Sequence, residues 1–424
     1  MKKIALAGLA ILGLTQIASA DTYFYITGSS AYAPATFSAI TNLYSNSITA
    51  YAYDKSTLAG SKIAVFKGTF PGITGTTIIK TKFNGSELGI QSVKKSNSIT
   101  GFLADSAATS ASGSTATSPT ESLIPHACMS DTFDGTSRFA NGATVLVNGV
   151  STTYGTISTP TITGSSNGIV GIIPFKFIAT SDSDTKGVTN LTSRQALDLW
   201  SAGKIPLSEW TGVSTDTNKF VYATGRDIDS GTRLTCMSAI GLAANASVIQ
   251  NFPRVGASGT GYLATANVGT TGNTVITTLP VTVNGVSQTA GNSGYTSGGD
   301  MAKALANPST AFGGTTGVAA IIGYNGVLDA DPQMINATAP LKEIAFNGVT
   351  LGSANGDYTT NTKLTYGQWP VWSYEHMYVG NATSGDQLTI ANTIAQKLYD
   401  TLSPVKVSDM KVSRSGDGGT ILQK

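Results

Sequence analysis

The sequence predicts an α/β fold, and three observations favour it. Short runs typical of β-strands alternate with segments of helical periodicity along most of the chain. A strand followed by a turn of small residues and then a helix occurs three times. With 424 residues, of which 41% are hydrophobic, the chain is long enough to fill the cores of two domains or lobes.

An export signal is predicted at residues 1–20. Lys2 and Lys3 form a basic start, an apolar run follows, and Ala18-Ser19-Ala20 has the small-x-small pattern of a cleavage site. The apolar run is shorter than the ~20 residues that a membrane-spanning helix needs. We therefore expect cleavage after Ala20 and a mature protein in the periplasm or outside the cell.

The charge balance argues against one class of function. The chain has 26 Lys and Arg residues against 24 Asp and Glu residues, and removal of Lys2 and Lys3 with the signal makes the two numbers equal. A nucleic-acid-binding protein needs a basic surface, so nucleic acid is not an expected partner. The two cysteines and two histidines are too few and too scattered for a zinc site, and we expect no metal and no cofactor.

The three strand-turn-helix units can be placed by their apolar patterns. Their strands are predicted at residues 23–27, 78–83 and 220–224. Each strand runs into a turn rich in Gly and Ser, and apolar side chains at helical spacing follow. The turns lie at residues 28–30, 84–86 and 225–232.

Other elements follow from apolar runs and capping residues. Residues 169–179 and 318–324 are suited to buried strands that connect two lobes. Thr192 and Gln195 form a capping box for a helix that ends at Gly203. A last helix is predicted over residues 388–402, after an alternating segment with one aromatic face formed by Trp372, Tyr374, His376 and Tyr378.

Two Ser/Thr-rich stretches lack a clear periodicity. Residues 104–120 are interpreted as a surface insertion. Residues 256–297 are interpreted as a decoration of the second lobe, with a hairpin between Val275 and Val286.

The recurring turns indicate the chemistry of a site. The first residues of a helix leave backbone N–H groups unpaired and carry the positive end of the helix dipole. A Ser/Gly-rich turn at this position is therefore suited to bind an anion. One such turn is usually only a turn, but three in one chain, one of them beside Arg226, favour oxyanion binding.

Ordered motifs in the chain resemble those of the periplasmic phosphate-binding proteins of ABC transporters. The most specific match is the segment RDIDSGT at residues 226–232, which is similar to the Arg-x-x-x-Ser-Gly-Thr signature of that family. The other matches are Gly28-Ser29-Ser30-Ala31-Tyr32-Ala33-Pro34, Gly85-Ser86-Glu87-Leu88-Gly89, Cys128-Met129-Ser130-Asp131, residues 191–210, Gly323-Tyr324 and Trp369-Pro370.

The resemblance implies a two-lobed type II periplasmic-binding-protein fold. Each lobe would have a central mixed sheet flanked by helices, and two strands would form the hinge. Residues 21–172 would be the first segment of lobe 1, residues 173–324 lobe 2, and residues 325–424 the return segment of lobe 1. The lobes would close around inorganic phosphate or a related tetrahedral oxyanion, and an ABC-transporter permease would recognise the closed monomer.

The resemblance also assigns residues to the ligand. Hydroxyls, backbone N–H groups and one guanidinium would donate to phosphate, from Ser29, Ser30, Ala31, Ser86, Arg226, Ser230, Gly231 and Thr232. Asp131 would accept the proton that hydrogenphosphate still carries. Sulfate lacks this proton at neutral pH, so the same carboxylate would repel it.

Several residues allow a second interpretation. Arg226 could form a surface ion pair with Asp227 or Asp229, and Asp131 could cap a helix or turn. Glu87 directly follows Ser86, where an inward-facing carboxylate would repel phosphate. The aromatic face around Trp372 is interpreted as core and not as a ligand platform.

The cysteines and the function class each leave an alternative. Cys128 and Cys236 are expected near the cleft, either as buried thiols or as one disulfide that ties the lobes together. An enzyme is not expected, because His126 and His376 offer little for a Ser-His-Asp arrangement. The alternative function is a secreted or surface protein, structural or adhesive, that reuses the scaffold without phosphate binding.

Overall fold

A large mixed β-sheet organises the chain in the computed structural model. The structure describes residues 20–147, 149–243, 246–255, 274–278, 282–283, 286–287, 294–306, 317–352, 357–402 and 405–424. The predicted signal at residues 1–20 therefore lies almost entirely outside the described residues, as does most of the stretch 256–297.

The strands are short, with two long exceptions near the middle of the sheet. In chain order they are β1 (Thr22–Gly28), β2 (Ile48–Tyr53), β3 (Ile63–Gly68), β4 (Thr77–Phe83), β5 (Ile99–Leu103), β6 (Ser114–Thr115), β7 (Thr120–Leu123), β8 (Ala127–Ser130), β9 (Thr144–Val147), β10 (Val150–Thr153), β11 (Ile169–Ala179), β12 (Asn190–Leu191), β13 (Lys204–Pro206), β14 (Phe220–Ala223), β15 (Asn251–Val255), β16 (Thr274–Thr278), β17 (Thr282–Val283), β18 (Val286–Ser287), β19 (Val318–Gly326), β20 (Lys342–Phe346), β21 (Trp372–Val379), β22 (Val412–Ser413) and β23 (Leu422–Gln423).

Helices alternate with these strands, as the sequence predicts for an α/β fold. They are α1 (Ala33–Tyr44), α2 (Ser86–Lys95), α3 (Ser193–Ala202), α4 (Ser208–Thr211), α5 (Gly231–Ala239), α6 (Gly298–Leu305), α7 (Val327–Ile335), α8 (Thr362–Thr365) and α9 (Gly385–Lys397). A π-helical turn, Leu398–Leu402, extends α9. The capping box at Thr192 is confirmed, and Gly203 ends α3 with a left-handed φ of 80°.

The sheet is mixed, and its strand order separates early from late parts of the chain. The order is β13-β14-β19-β11-β21-β8-β1-β4-β3-β2-β6, and β20 pairs with both β11 and β12. Strand β1 is parallel to β4 and to β8, whereas β21 is antiparallel to β8 and to β11. The predicted α/β class with a mixed sheet and flanking helices is confirmed.

Strand β11 connects the two parts of the sheet. Its first half pairs with β21, up to Pro174, and its second half pairs with β19 and β20, from Phe175 or Phe177 onward. Ten of its eleven residues are buried, as expected for a continuous apolar run inside a sheet. The predicted strand is therefore confirmed, and β19 is confirmed with two further residues. The division into lobes at residues 172 and 324 stays a prediction.

The two Ser/Thr-rich stretches follow the expectations in part. Residues 104–120 are mostly exposed or half-buried, as expected for a surface segment, but Ala107 and Ala108 are buried in one cluster with Leu103, and β6 pairs with β2 at the edge of the main sheet. In the second stretch β17 and β18 form a hairpin with Val283 opposite Val286, whereas Val275 pairs with Arg254 on β15. A local sequence pattern does not reveal backbone partners of this kind.

The core is continuous across the sheet and rich in aromatic residues. Trp200, Trp369 and Trp372 are fully buried in its largest cluster. The rings of Trp372, Tyr374, His376 and Tyr378 follow one another along β21 with centroid distances of 5.4, 6.2 and 5.3 Å. The interpretation of this face as core is confirmed. Within the described ranges, no helix is both long and apolar enough to cross a bilayer.

Candidate oxyanion site

The ends of three neighbouring strands bring the first group of predicted site residues together. Strands β4, β1 and β8 are parallel neighbours, so their carboxyl ends lie at one edge of the sheet. The backbone N–H of Gly85 donates to Gly28 O over 2.9 Å, and that of Ser29 donates to Met129 O over 2.8 Å. The turn before α2 and the loop after β1 therefore meet beside Asp131, which follows β8.

The start of α5 reaches the same place from the distant end of the sheet. The Ser86 hydroxyl donates to Asp131 Oδ1, and the Thr232 hydroxyl donates to Asp131 Oδ2 over 3.2 Å. The backbone N–H of Glu87 donates to Asp229 O over 3.1 Å. The structure thus brings Ser86, Asp131 and Thr232 into direct contact, although they lie on three separate segments.

Two glycines permit this close approach. A Cβ atom on Gly231 would lie 1.8 Å from Asp131 Oδ1, and a Cβ atom on Gly85 would lie 2.5 Å from Asp229 O. Gly85 also has a φ of +121°, which residues with a side chain rarely adopt. Any other residue at position 231 would displace the Asp131 carboxylate from the first turn of α5.

Ser230 is the N-cap of α5 and helps to define the positive end of the helix. Its Oγ accepts a hydrogen bond from Arg233 N over 3.3 Å, and its own hydroxyl hydrogen is left to donate elsewhere. The first backbone N–H groups of α5 have no partner inside the helix, as for any helix start. The Asp131 carboxylate lies against Gly231, the first residue of α5, where an anion is stabilised by the helix dipole.

Arg226 is buried near this carboxylate and does not lie on the surface. It is only 2% exposed, so the alternative of a surface ion pair is wrong. Its Nε donates to Tyr295 O over 3.0 Å and its Nη2 donates to Thr296 O over 3.1 Å. The Arg226 guanidinium, predicted to bind two ligand oxygens, thus donates to two backbone carbonyls. Its contact with a ligand stays a prediction.

The electrostatics of Asp131 reflect opposing effects. Burial raises the pKa of Asp131 above its ordinary value, whereas the Ser86 hydrogen bond, the charge of Arg226 and the Thr232 hydrogen bond lower it. The side chain is 1% exposed. Asp131 therefore links distant segments of the chain.

The loop after β1 contributes unequally to the site. Ser29 is 2% exposed, and its hydroxyl has no hydrogen-bond partner among the described residues. Ser30 is half-buried. Ala31 faces the other way, onto a small cavity beside Pro174 and Gly326. Tyr32 points into the core, fully buried, so its ring does not lie in the anion turn.

Glu87 is buried but does not face the Asp131 carboxylate. Its Oε2 accepts from Arg138 N over 2.9 Å and from the Ser137 hydroxyl over 3.1 Å. The Arg138 guanidinium lies 3.6 Å from Glu87 Oε2 and 2.8 Å from Asp229 Oδ1. Burial raises the pKa of Glu87 to about 7, although the charge of Arg138 opposes this. The sequence suggested that an inward-facing Glu87 would repel an anion. In the structure the positive charge of Arg138 offsets the negative charge of Glu87.

Two further charged residues near the site were not identified from the sequence. Arg138 binds Glu87 and Asp229 at the rim of the site, and it stands in a Ser/Gly-rich segment with no motif. Glu375 lies in the middle of β21, fully buried, and neither of its oxygens has a hydrogen-bond partner in the part of the chain that the structure describes. A charged residue within an otherwise buried strand was the available signal for Glu375.

The two cysteines are free and buried, so the disulfide alternative is wrong. Cys128 packs with Ile90, Val93 and Tyr378, whereas Cys236 belongs to the main core cluster. Because the two thiols enter different apolar clusters, they do not face each other. Burial raises the pKa of both thiols well above the ordinary value.

Both histidines are structural. His126 Nδ1 accepts from Tyr25 N over 3.0 Å, and His376 Nδ1 lies 2.9 Å from Asn167 O. Burial lowers the pKa of each imidazole to about 4, so both rings are neutral at physiological pH.

A wide polar cleft of about 930 Å³ borders the site. Asn84 and Asp229, next to the Gly85 turn, line its inner end, and Lys62 and Asp329 face each other across it. The cleft thus comes within one residue of Ser230, the N-cap of α5.

No protein-family model and no curated protein matches this sequence. Solved structures that are similar to it include the following three. A protein from Clostridium perfringens, described as a phosphate ABC transporter substrate-binding protein with bound phosphate, has a TM-score of 0.41 and 11% identity and covers 91% of this chain and 100% of its own. An ABC-type phosphate transport receptor from Vibrio cholerae has a TM-score of 0.38 and 12% identity. The match covers 88% of this chain and 94% of the receptor.

The third structure is PstS from Borrelia burgdorferi, with a TM-score of 0.33 and 10% identity, covering 91% of this chain and 100% of its own. All three TM-scores lie below 0.5, so these similarities alone do not support a function. The chain is similar to phosphate-binding proteins of ABC transporters, the family that its sequence motifs also resemble.

Proposed function

We propose that this chain is an extracytoplasmic solute-binding protein that captures inorganic phosphate, or a related tetrahedral oxyanion, for delivery to an ABC-transporter permease. One observation carries the proposal: hydroxyls from two distant segments, Ser86 and Thr232, converge on one negative group at the start of α5. The Asp131 carboxylate is that negative group in the structure. The place is therefore built to hold oxyanion oxygens.

Binding requires the Asp131 carboxylate to move away from Gly231. Phosphate oxygens would then take the hydrogen bonds of Ser86 and Thr232 and the N–H groups at the start of α5. The displaced carboxylate would accept the proton of hydrogenphosphate, and the charge of Arg226 would balance the ligand. Ser29 and Ser230 would complete the set of hydroxyl donors. No step breaks a covalent bond, so the protein binds and does not catalyse.

Closure of two lobes is the expected consequence of binding. Ser86 and Asp131 belong to the predicted first lobe, and Thr232 belongs to the predicted second lobe, so one ligand would join both. The proposal includes export, because residues 1–20 have a pattern typical of a signal peptide. The monomeric state is part of the same proposal.

Equilibrium dialysis of labelled phosphate against protein refolded to remove bound anions tests the proposal. Thr232→Val should weaken phosphate binding about 10- to 100-fold, because a hydrogen bond to a charged group contributes about 1.5–3 kcal/mol. Thr235→Val is the matched control one turn later, where the hydroxyl donates to the main-chain Asp131 O over 3.2 Å and not to the carboxylate. Equal affinities of the two variants would refute the assignment of the start of α5 to the ligand.

A second function is favoured by one specific observation. The Asp131 carboxylate already satisfies the hydroxyls of Ser86 and Thr232, so the two segments are held together by the protein itself. A surface protein, structural or adhesive, that keeps this contact permanently would need no ligand. Wild-type protein that binds neither phosphate nor sulfate, at millimolar concentrations, would favour this second function.

A further inference from the structure

The side chain of Glu375 is the strongest unexplained feature near the candidate site. It is fully buried in β21, and both carboxyl oxygens lack a hydrogen-bond partner within the described ranges. Buried carboxyl groups are normally paired or hydrogen-bonded, so an unpartnered one indicates a role that is not structural.

The position of Glu375 follows from the register of the sheet. Strand β21 pairs with β8 so that His376 is opposite Ser130, and the next position brings Glu375 opposite Asp131. Ser29 follows β1, the other neighbour of β8, and its hydroxyl lies beside Glu375 without reaching hydrogen-bond geometry. Glu375 therefore lies near two residues that we assign to the ligand.

The surroundings favour the neutral form of Glu375. The groups packed against β21 that can carry charge include Cys128 on β8 and Asp131 directly after it, Cys236 and Arg233 on α5, Glu87, Lys94 and Lys95 on α2, Lys176 on β11, and Asp386 and Lys397 on α9. Two more contact β21 directly: Arg414 donates to Trp372 O, and the backbone N–H of Asp134 donates to the Tyr378 hydroxyl. Asp131 and Cys128 share a charge interaction with Glu375, and both are acids. Two of the cations are engaged elsewhere: Lys176 with Asp331 and Lys94 with Asp134.

Asp131 is the carboxyl of this pair whose surroundings include groups that favour its charged form. It receives two hydroxyl hydrogen bonds and the charge of Arg226. Burial raises the pKa of Glu375 well above its ordinary value and the charge of Asp131 raises it further, whereas only the nearby Ser29 hydroxyl acts in the opposite direction. A protonated carboxyl has one O–H donor, and the groups of the site that lie near Glu375 are Ser29 and Asp131.

We propose that Glu375 determines ligand specificity by donating a hydrogen bond, from its neutral carboxyl, to an oxygen of the bound oxyanion. This inference rests on the proposed function and adds to it. The site then has one carboxyl that accepts, Asp131, and one that donates, Glu375. Such a pair selects a tetrahedral anion that carries both a proton and free oxygens, such as a hydrogenphosphate, a hydrogenarsenate or a phosphate monoester in its monoprotonated form.

The test compares Glu375→Gln with Glu375→Leu in full-length mature protein, with inorganic phosphate as the probe and dialysis between pH 5.5 and 9.5. The carboxamide introduced by E375Q still donates, so this variant should bind phosphate within about threefold of wild type at pH 5.5. E375L has no donor and should bind at least about tenfold more weakly than E375Q. The ratio of wild-type to E375Q dissociation constants should rise with pH, because the wild-type carboxyl loses its proton; this ratio cancels the titration of phosphate itself.

Glu87→Gln is the matched control, a buried carboxyl whose partner is Arg138 and not the ligand. It should leave the pH dependence of phosphate affinity unchanged. Wild type that binds phosphate, with E375L equal to E375Q at every pH, would overturn the inference and leave the proposed function intact. Wild type that binds no phosphate at any pH would overturn both. Since E375Q is nearly isosteric with wild type, it keeps the test decisive if E375L does not fold.

Discussion

Two clusters of buried charge differ in how completely their groups are paired. At one, Lys176 Nζ lies 2.8 Å from Asp331 Oδ1 and 3.5 Å from Glu343 Oε2, and Tyr358 donates to the other Asp331 oxygen. Backbone N–H groups of residues 351 and 352 complete the bonds of Glu343. At the other, Asp131 meets hydroxyls and a helix start, and the nearby polar atoms of Ser29, Thr132 and Glu375 have no hydrogen-bond partner in the described parts of the chain.

This difference in pairing indicates which cluster stabilises the fold and which one is available for binding. A cluster whose charges and donors satisfy one another holds the fold and has nothing left for a ligand. A cluster that is buried yet short of partners keeps donors available for binding, and unsatisfied groups of this kind are typical of functional sites. The predictions below test this contrast, from the largest expected effect to the smallest.

Breaking the fully paired cluster around Lys176 should cause the largest loss of stability. Lys176→Met leaves the Asp331 and Glu343 carboxyls without their shared cation, which typically destabilises a protein by about 3–5 kcal/mol. Urea denaturation should show this loss as a lower midpoint at an unchanged slope. Phosphate affinity of the folded variant should remain at the wild-type value. A loss below ~1 kcal/mol would show that the cluster is not a major source of stability.

The pH dependence of stability should show the raised pKa of Glu87 in the folded state. Burial raises the pKa of Glu87 from 4.5 to about 7, so the folded state disfavours its ionised form. The stability that wild type has relative to Glu87→Gln should therefore be greatest below pH ~4.5, fall as the pH rises to about 7, and stay constant above. The total fall should be about 3 kcal/mol, at about 1.36 kcal/mol per pKa unit. Unfolding curves of the two proteins at several pH values that differ by a constant amount would contradict this.

Removing the charge of Asp131 should change anion selectivity. Asp131→Asn keeps the shape of the side chain, but its carboxamide can donate to an oxyanion that carries no proton. Phosphate affinity should fall about 10-fold, roughly the 1.4 kcal/mol of one hydrogen bond to a charged group, while sulfate should begin to compete. Competition dialysis with labelled phosphate measures both effects. Sulfate that still fails to compete would mean that Asp131 does not exclude it.

An exposed ion pair should have the smallest effect. Arg194 Nε lies 2.7 Å from Asp198 Oδ2, and the Arg194 side chain is 80% exposed. Arg194→Ala should change stability by no more than about 0.5 kcal/mol and leave phosphate affinity unchanged. This variant is the reference against which the Lys176→Met loss is judged in the same urea experiment.

The parts of the fold with strong local patterns could be predicted from the sequence. The capping box at Thr192, the apolar run of β11 and the turn before α5 each depend on residues within a few positions of one another. The RDIDSGT segment likewise identified the helix start at which Thr232 meets Asp131.

The remaining parts depend on pairings between distant segments. Glu375 lies opposite Asp131 only because β21 pairs with β8, and Arg138 reaches Asp229 only because α2 and α5 start side by side. The edge strand β6 could not be predicted, because its partner β2 lies far away along the chain. The pairing of β16 with β15 could not be predicted either, because it is set by the register between two separate strands. Local periodicity carries no information on such contacts.

The most direct test of the central claim is a crystal structure of the mature protein grown with phosphate at neutral pH. The account predicts a phosphate ion between the Ser86 and Thr232 hydroxyls at the start of α5, with the Asp131 carboxylate moved off Gly231 and within hydrogen-bond distance of a ligand oxygen. A structure in which Asp131 still receives the hydrogen bonds of Ser86 and Thr232, with no phosphate beside them, would contradict it.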